Sequence, residues 1–167
     1  GGLPFSTLWA EQVKVPGRDS LPLTRDGGPY FNSVTSDFFG TMGIRLLRGR
    51  GFTEADRATS SRTVVVNKTL ADLWWPGDDA VGHCLKVGGD TMPCAQIVGV
   101  VENTRRFQLI EDPAVQFFVP LEQAPRWSHG SVLVVRPRGD AIKAAESLRR
   151  ELQTRVPDAP FIDVSAL

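Results

Sequence analysis

Few side chains in this sequence could ligate a metal or attack a substrate, and the foremost are His83, Cys84, Cys94 and His129. Zinc sites are normally written as close ligand pairs, roughly two to four residues apart, and the sequence has no such pair. His83 and Cys84 are adjacent in a segment that reads as a strand, where neighbouring side chains point to opposite faces. They cannot both join Cys94 around one ion, so no metal is expected. His129-Gly130-Ser131 places a base near a hydroxyl, but no G-x-S-x-G elbow presents the serine, and a solvated loop accounts for both. The carboxylate pairs Asp78-Asp79 and Glu111-Asp112 lie beside Gly or Pro and read as turn residues. No phosphate-cradling G-x-x-x-x-G-K-[ST] or G-x-G-x-x-G is present, so no nucleotide and no other cofactor is expected. No catalytic residue is assigned.

The two cysteines carry more information as a pair. A hairpin turning at Gly88-Gly89-Asp90 sets Val87 against Thr91, Leu85 against Pro93 and Cys84 against Cys94. Opposed residues of that kind have Cα atoms about 4.5 Å apart, at the short end of the disulfide range. Two readings stand open here. Cys84 and Cys94 form a disulfide, which favours an oxidising, extracytoplasmic compartment, or they are reduced thiols acting as small hydrophobes. Asn67-Lys68-Thr69 fits a glycosylation sequon, yet Asn67 is already accounted for as a helix N-cap. Of Trp74-Trp75, beside Leu70 and Leu73, one ring is expected in the core.

The elements that must position these residues are short. Phe5 to Val15 and Tyr30 to Thr35 read as strands separated by a Pro/Gly/Asp loop. Ser36 reads as the N-cap of a brief helix through Met42, closed by Gly43. Thr53 to Asp56 resembles a capped turn. Thr63-Val64-Val65-Val66 has the two-sided apolar character of a buried central strand, followed by a helix through Leu70 and Trp74. Val81 to Val87, Cys94 to Val101, Gln116 to Leu121, Ser131 to Arg136 and Phe161 to Val164 read as strands. Ala141 to Val156 is the clearest helix, with Asp140 as N-cap and a stripe of Ile142, Ala145, Leu148 and Leu152. Helices and hairpin-paired strands interleave, so the fold class is α+β and not a doubly wound parallel sheet.

The 167 residues balance 19 Lys and Arg against 19 Asp and Glu. That neutrality lacks the basic footprint that binding nucleic acid requires. Gly 16 and Pro 12 imply many turns. No apolar run approaches the roughly 18 residues of a membrane helix. Gly1-Gly2-Leu3-Pro4 has no signal-peptide character, and an excised piece of a longer chain is expected.

Five segments in order resemble the periplasmic core domain of MacB-like and FtsX-like ABC transporter permeases, nearest to the acidobacterial duplicated-permease branch. They are Val34 to Asp56 (VTSDFFGTMGIRLLRGRGFTEAD), Val64 to Gly89 (VVVNKTLADLWWPGDDAVGHCLKVGG), Ile97 to Arg105 (IVGVVENTR), Phe118 to Gln123 (FVPLEQ) and Leu133 to Asp140 (LVVRPRGD). The resemblance implies a non-catalytic periplasmic domain of a bacterial inner-membrane protein. That domain couples ATP-driven motion of the transmembrane helices to substrate export or signalling. The implied partners are the permease's own transmembrane helices, a cytoplasmic ABC ATPase and a periplasmic accessory protein. The implied architecture is a porter-like membrane-proximal lobe of residues 1–32 and 127–167, with residues 33–126 inserted as a second lobe. The first strand and helix of the porter-like lobe are expected to be missing. One sheet is expected to join Phe5–Val15, Val132–Val135 and Phe161–Val164 under Ile142, Leu148 and Leu152. Cys84 and Cys94 lie outside the family pattern. Two other readings compete: a stand-alone ligand-binding or sensory module, and a small hydrolase using His129 and Ser131.

Overall fold

Three consecutive valines cannot all face one side of a strand, so Val64-Val65-Val66 demands apolar cover on both faces of whatever sheet contains it. In the computed structural model, which describes residues 12–25, 27–104, 112–125, 132–156 and 164, that demand is met. The chain divides into two compact units, Gly1–Val134 and Val135–Leu167.

Among the described residues of the first unit, seven strands form one mixed sheet. They are β1 (Val13–Lys14), β2 (Tyr30–Val34), β3 (Leu46–Gly49), β4 (Thr63–Asn67), β5 (Cys84–Val87), β6 (Cys94–Val101) and β7 (Gln116–Pro120). The order is β1-β5-β6-β4-β7-β2, with β3 also laddered to β6. β4 runs parallel to β6 and antiparallel to β7, and β2 runs parallel to β7. Only β5 and β6 make a sequential hairpin. The α+β class holds, but hairpins are fewer than the sequence suggested, because long connections bring distant strands together.

Alternation along β4 divides the core between two faces. Val64 and Val66 pack with Leu70, Trp74, Leu85, Ile97, Val115 and Phe117. Val65 packs on the other face with Val34, Phe39, Phe52, Val101 and Phe118. The first face is covered by α2 (Lys68–Trp74), which buries Leu70, Ala71 and Trp74. The second is covered by α1 (Phe38–Met42), whose Phe39 ring lies 5.1 Å from that of Phe118. Ser36 is not its N-cap: the cap is Asp37, and the Ser36 hydroxyl donates to Glu54 instead. Gly43, at φ 71°, closes the helix in the left-handed region as expected.

Val13–Lys14, expected in the sheet of the terminal strands, ladders instead with β5. Residues 132–136 carry no ladder among the described residues, and Phe161 to Asp163 lie outside them. In the second unit, α3 (Ala141–Arg155) starts as expected, with Asp140 Oδ1 accepting from the amides of Ile142 and Lys143 at 2.9 and 3.2 Å. No α3 residue is buried. Ile142 is 66% exposed, while Leu148 and Leu152 are half-buried, so the deep packing expected for that stripe is absent. Among the described residues no helix is long and apolar enough to cross a membrane.

Candidate functional site

The hairpin that carries the cysteines has a register two residues away from the expected one. Lys86 faces Cys94, Leu85 faces Ala95 and Cys84 faces Gln96. Pro93 has no N–H to offer a ladder, and on the opposite edge of β5 Val87 pairs with Val13 of β1. The loop therefore turns later, with the Met92 amide donating to the Gly89 carbonyl at 3.2 Å. Cys84 and Cys94 become diagonal neighbours on one face rather than an opposed pair. Their Cα atoms are 5.6 Å apart and their sulfurs are in contact, inside the span a disulfide bridges.

His83 is not grouped with metal ligands. Its ring stacks on Trp75 at 5.2 Å between centroids, and its Nε2 lies 2.9 Å from Asp78 Oδ2. The Asp78 carboxyl is held below its usual range, chiefly by that contact with His83. Arg18 lies over Trp75, 5.7 Å from the ring centroid, and donates to the Trp74 carbonyl. Both tryptophans are buried, not one: Trp74 also donates its indole N–H to the Pro22 carbonyl at 2.8 Å. Among the described residues no three His, Cys, Asp or Glu are grouped to hold a metal ion. His129, Ser131 and Glu111 fall outside the described residues, and Asp112 is exposed.

Asn67 ends β4, caps α2 and is fully buried. Its Oδ1 accepts from the amides of Leu70 at 3.1 Å and Gln116 at 3.0 Å. Its Nδ2 donates to the Ala114 carbonyl at 2.8 Å and to Asn103 Oδ1 at 3.0 Å. The nitrogen that a sequon would offer for glycosylation is thus occupied. Asn103 Oδ1 also accepts from the Thr69 amide and hydroxyl. Gln116 in turn exchanges hydrogen bonds with Thr104. One network locks the C-terminal end of β4 to the start of β7 and to the residues that follow β6.

At the other end of β4, Asp56 is buried and accepts bidentately from Arg50 at 2.8 and 3.0 Å. It also accepts from the Thr53 amide at 2.8 Å and from the Thr63 hydroxyl at 3.3 Å. The Arg50 guanidinium, helped by the Thr53 amide against the cost of burial, holds this carboxyl down to about 2. Gln123 completes the clamp: its carbonyl accepts from the Thr63 amide at 3.0 Å, and its nitrogen donates to Arg57, Ser60 and Ser61. The sequence signal for Asp56 was the Thr53-x-x-Asp56 spacing; Arg50 and Gln123 had none, because their partners meet them only in the fold.

Each of these polar groups is spent on holding the sheet and its loops, an arrangement suited to rigidity and not to proton or group transfer. Residues 8–151 match the family described as the MacB-like periplasmic core domain. The structure is similar to the periplasmic region of MacB from Actinobacillus actinomycetemcomitans, with TM-score 0.64 and 15% identity over 89% of this chain and 64% of that one. It is similar also to the extracellular domain of the noncanonic ABC-type transporter YknZ from Gram-positive bacteria, with TM-score 0.63 and 15% identity over 95% of this chain and 78% of that one. A permease-protein domain from Porphyromonas gingivalis shares the fold at TM-score 0.56 and 17% identity, over 96% and 76% of the two chains. Among curated proteins, no sequence matches. The chain thus spans about two thirds of the length of the MacB region, and at these identities the likeness shows the fold alone.

Proposed function

The chain belongs to the family of MacB-like periplasmic core domains of ABC transporter permeases, which lie outside the cytoplasmic membrane, and from that premise we propose that it transmits motion rather than catalysing a reaction. In this reading its partners are the transmembrane helices of its permease, a cytoplasmic ABC ATPase that drives them and a periplasmic accessory protein. The observation that supports it is how the buried and half-buried polar groups are used. Asn67, Asp56, Gln116 and Gln123 each cross-link separate segments of one sheet, which lets a displacement at one segment reach the others. We also propose that Cys84 and Cys94 are bonded in the oxidising compartment where the domain resides. The two-lobe division of the family is proposed to hold, with residues 33–126 forming the inserted lobe. Val13–Lys14 and Tyr30–Asn32 then join that lobe as flanking strands.

The test uses the parent permease with its ATPase in liposomes, with and without residues 13–156. Loss of substrate-stimulated ATP hydrolysis, with assembly of permease and ATPase retained, is the expected result. Unchanged stimulation would favour a stand-alone sensory module instead.

A further inference from the structure

A cleft of about 230 Å³ opens on the face of the sheet that carries Val64 and Val66. It lies where the N-terminal ends of β4 and β6 meet the C-terminal end of β7, at Thr63, Ala95 and Val119. The covering helix on this face is α2, seven residues long and so about 10 Å. It follows the opposite end of β4, and a five-residue strand runs about 16 Å, so the helix is too short to cover both ends. The floor is apolar, built from Phe31, Ala95 and Val119, and one wall is the β5–β6 loop with Met92 and Pro93.

The polar groups on the cleft divide into two kinds. The Thr63 hydroxyl and the Gln123 amide are used internally. Arg62 is exposed, and none of the ion pairs or side-chain hydrogen bonds among the described residues uses its guanidinium. Asp56, the nearest carboxylate along the chain that could neutralise it, is already taken by Arg50. An apolar cleft with one unspent cation at its rim selects for a ligand of matching character: a short apolar body ending in a single carboxylate. The volume falls below the roughly 300–1,000 Å³ typical of sites for drug-sized ligands, which limits the ligand to a small one. We propose that this cleft binds small amphipathic monocarboxylates, with the apolar part on Phe31, Ala95 and Val119 and the carboxylate on Arg62.

Hexanoate and its neutral counterpart hexanamide serve as probes, titrated into the ¹⁵N-labelled 167-residue chain. Saturable shifts of the Val87, Ala95 and Thr63 amides are expected with hexanoate. Hexanamide should bind about ten-fold more weakly, the value of one charge-assisted hydrogen bond. Arg62→Gln should lose the preference for the charged probe and Arg62→Lys should keep it. Arg62 is exposed, so neither variant threatens the fold. The absence of saturable shifts would overturn the site, and equal affinity for both probes would overturn the charge selection that defines it.

Discussion

Asp56 shows how one side chain ties stability to pH. Its folded pKa of about 2 lies below the ordinary carboxylate value of about 3.9. A depressed pKa contributes stability that is fully present above the unfolded value and is lost as pH falls through the folded one. The contribution should therefore be complete above about pH 4 and fade toward pH 2. Asp56→Asn is expected to cost about 2 kcal/mol at pH 7, read as a lower urea midpoint. The gap between variant and parent should narrow as the titration approaches pH 2, and a constant gap would falsify the assignment of that stability to the ion pair. Asn67→Ala at the other end of β4 removes an acceptor from two amides and a donor from two oxygens. It should cost about 2–4 kcal/mol at every pH, because unsatisfied buried groups and not charge set the penalty.

At the scale of elements, the tightest junction is where β3 crosses β6. A Cβ on Gly99 would overlap the Arg50 carbonyl, and one on Gly49 would overlap the Val98 carbonyl. Gly99→Ala should therefore cost more than about 2 kcal/mol and speed amide exchange in β3, as the backbones are forced apart; protection unchanged from the parent would contradict this. The two apolar stripes on helices predict opposite outcomes. Leu70, fully buried on the inner face of α2, should cost about 2–5 kcal/mol as Leu70→Ala. Half-buried Leu148 on α3 should cost less than about 2 kcal/mol as Leu148→Ala, and paired chemical denaturation curves distinguish them. The proposed Cys84–Cys94 bond would make the β5–β6 hairpin a redox-dependent element. Loss of the Cys84–Cys94 bond, which closes a loop over a separation of 10 residues, should cost about 2–3 kcal/mol by the chain-entropy argument. Two reactive thiols in unfolded, unreduced protein would count against the bond.

At the scale of the whole molecule, the unit that carries the mixed sheet has an apolar core on each face, and its buried Asn67, Asp56 and Gln116 side chains are joined in cross-links. In the proposed relay role the domain has no need of its own nucleotide, and the sequence writes no phosphate loop. Calorimetry with Mg-ATP on the isolated chain is expected to show no saturable heat. A micromolar isotherm would be incompatible with a purely mechanical role.

Local rules were enough for much of this. The alternation and β-branching of Val64-Val65-Val66, the Asn67 and Asp140 caps, the Gly43 stop and the span of β6 were all legible in the sequence, because each depends on residues within a few positions of one another. The same locality made the α+β class and the family motifs readable. Pairing between distant segments was not. Val64 and Val66 share one core while Val98 and Phe118 lie with the other, a division that the strand sequences alone leave open, since the side a strand presents depends on its register with a neighbour. The same holds for the cysteines, whose hairpin register differs by two from the expected one, which had set Pro93, a residue without an N–H, in the ladder. Arg50 with Asp56, Gln123 with Thr63 and the unspent Arg62 beside an apolar floor were likewise decided by tertiary structure. Hydrogen bonds and clefts form between atoms close in space, and only the folded backbone says which residues, whether six positions apart or sixty, those are.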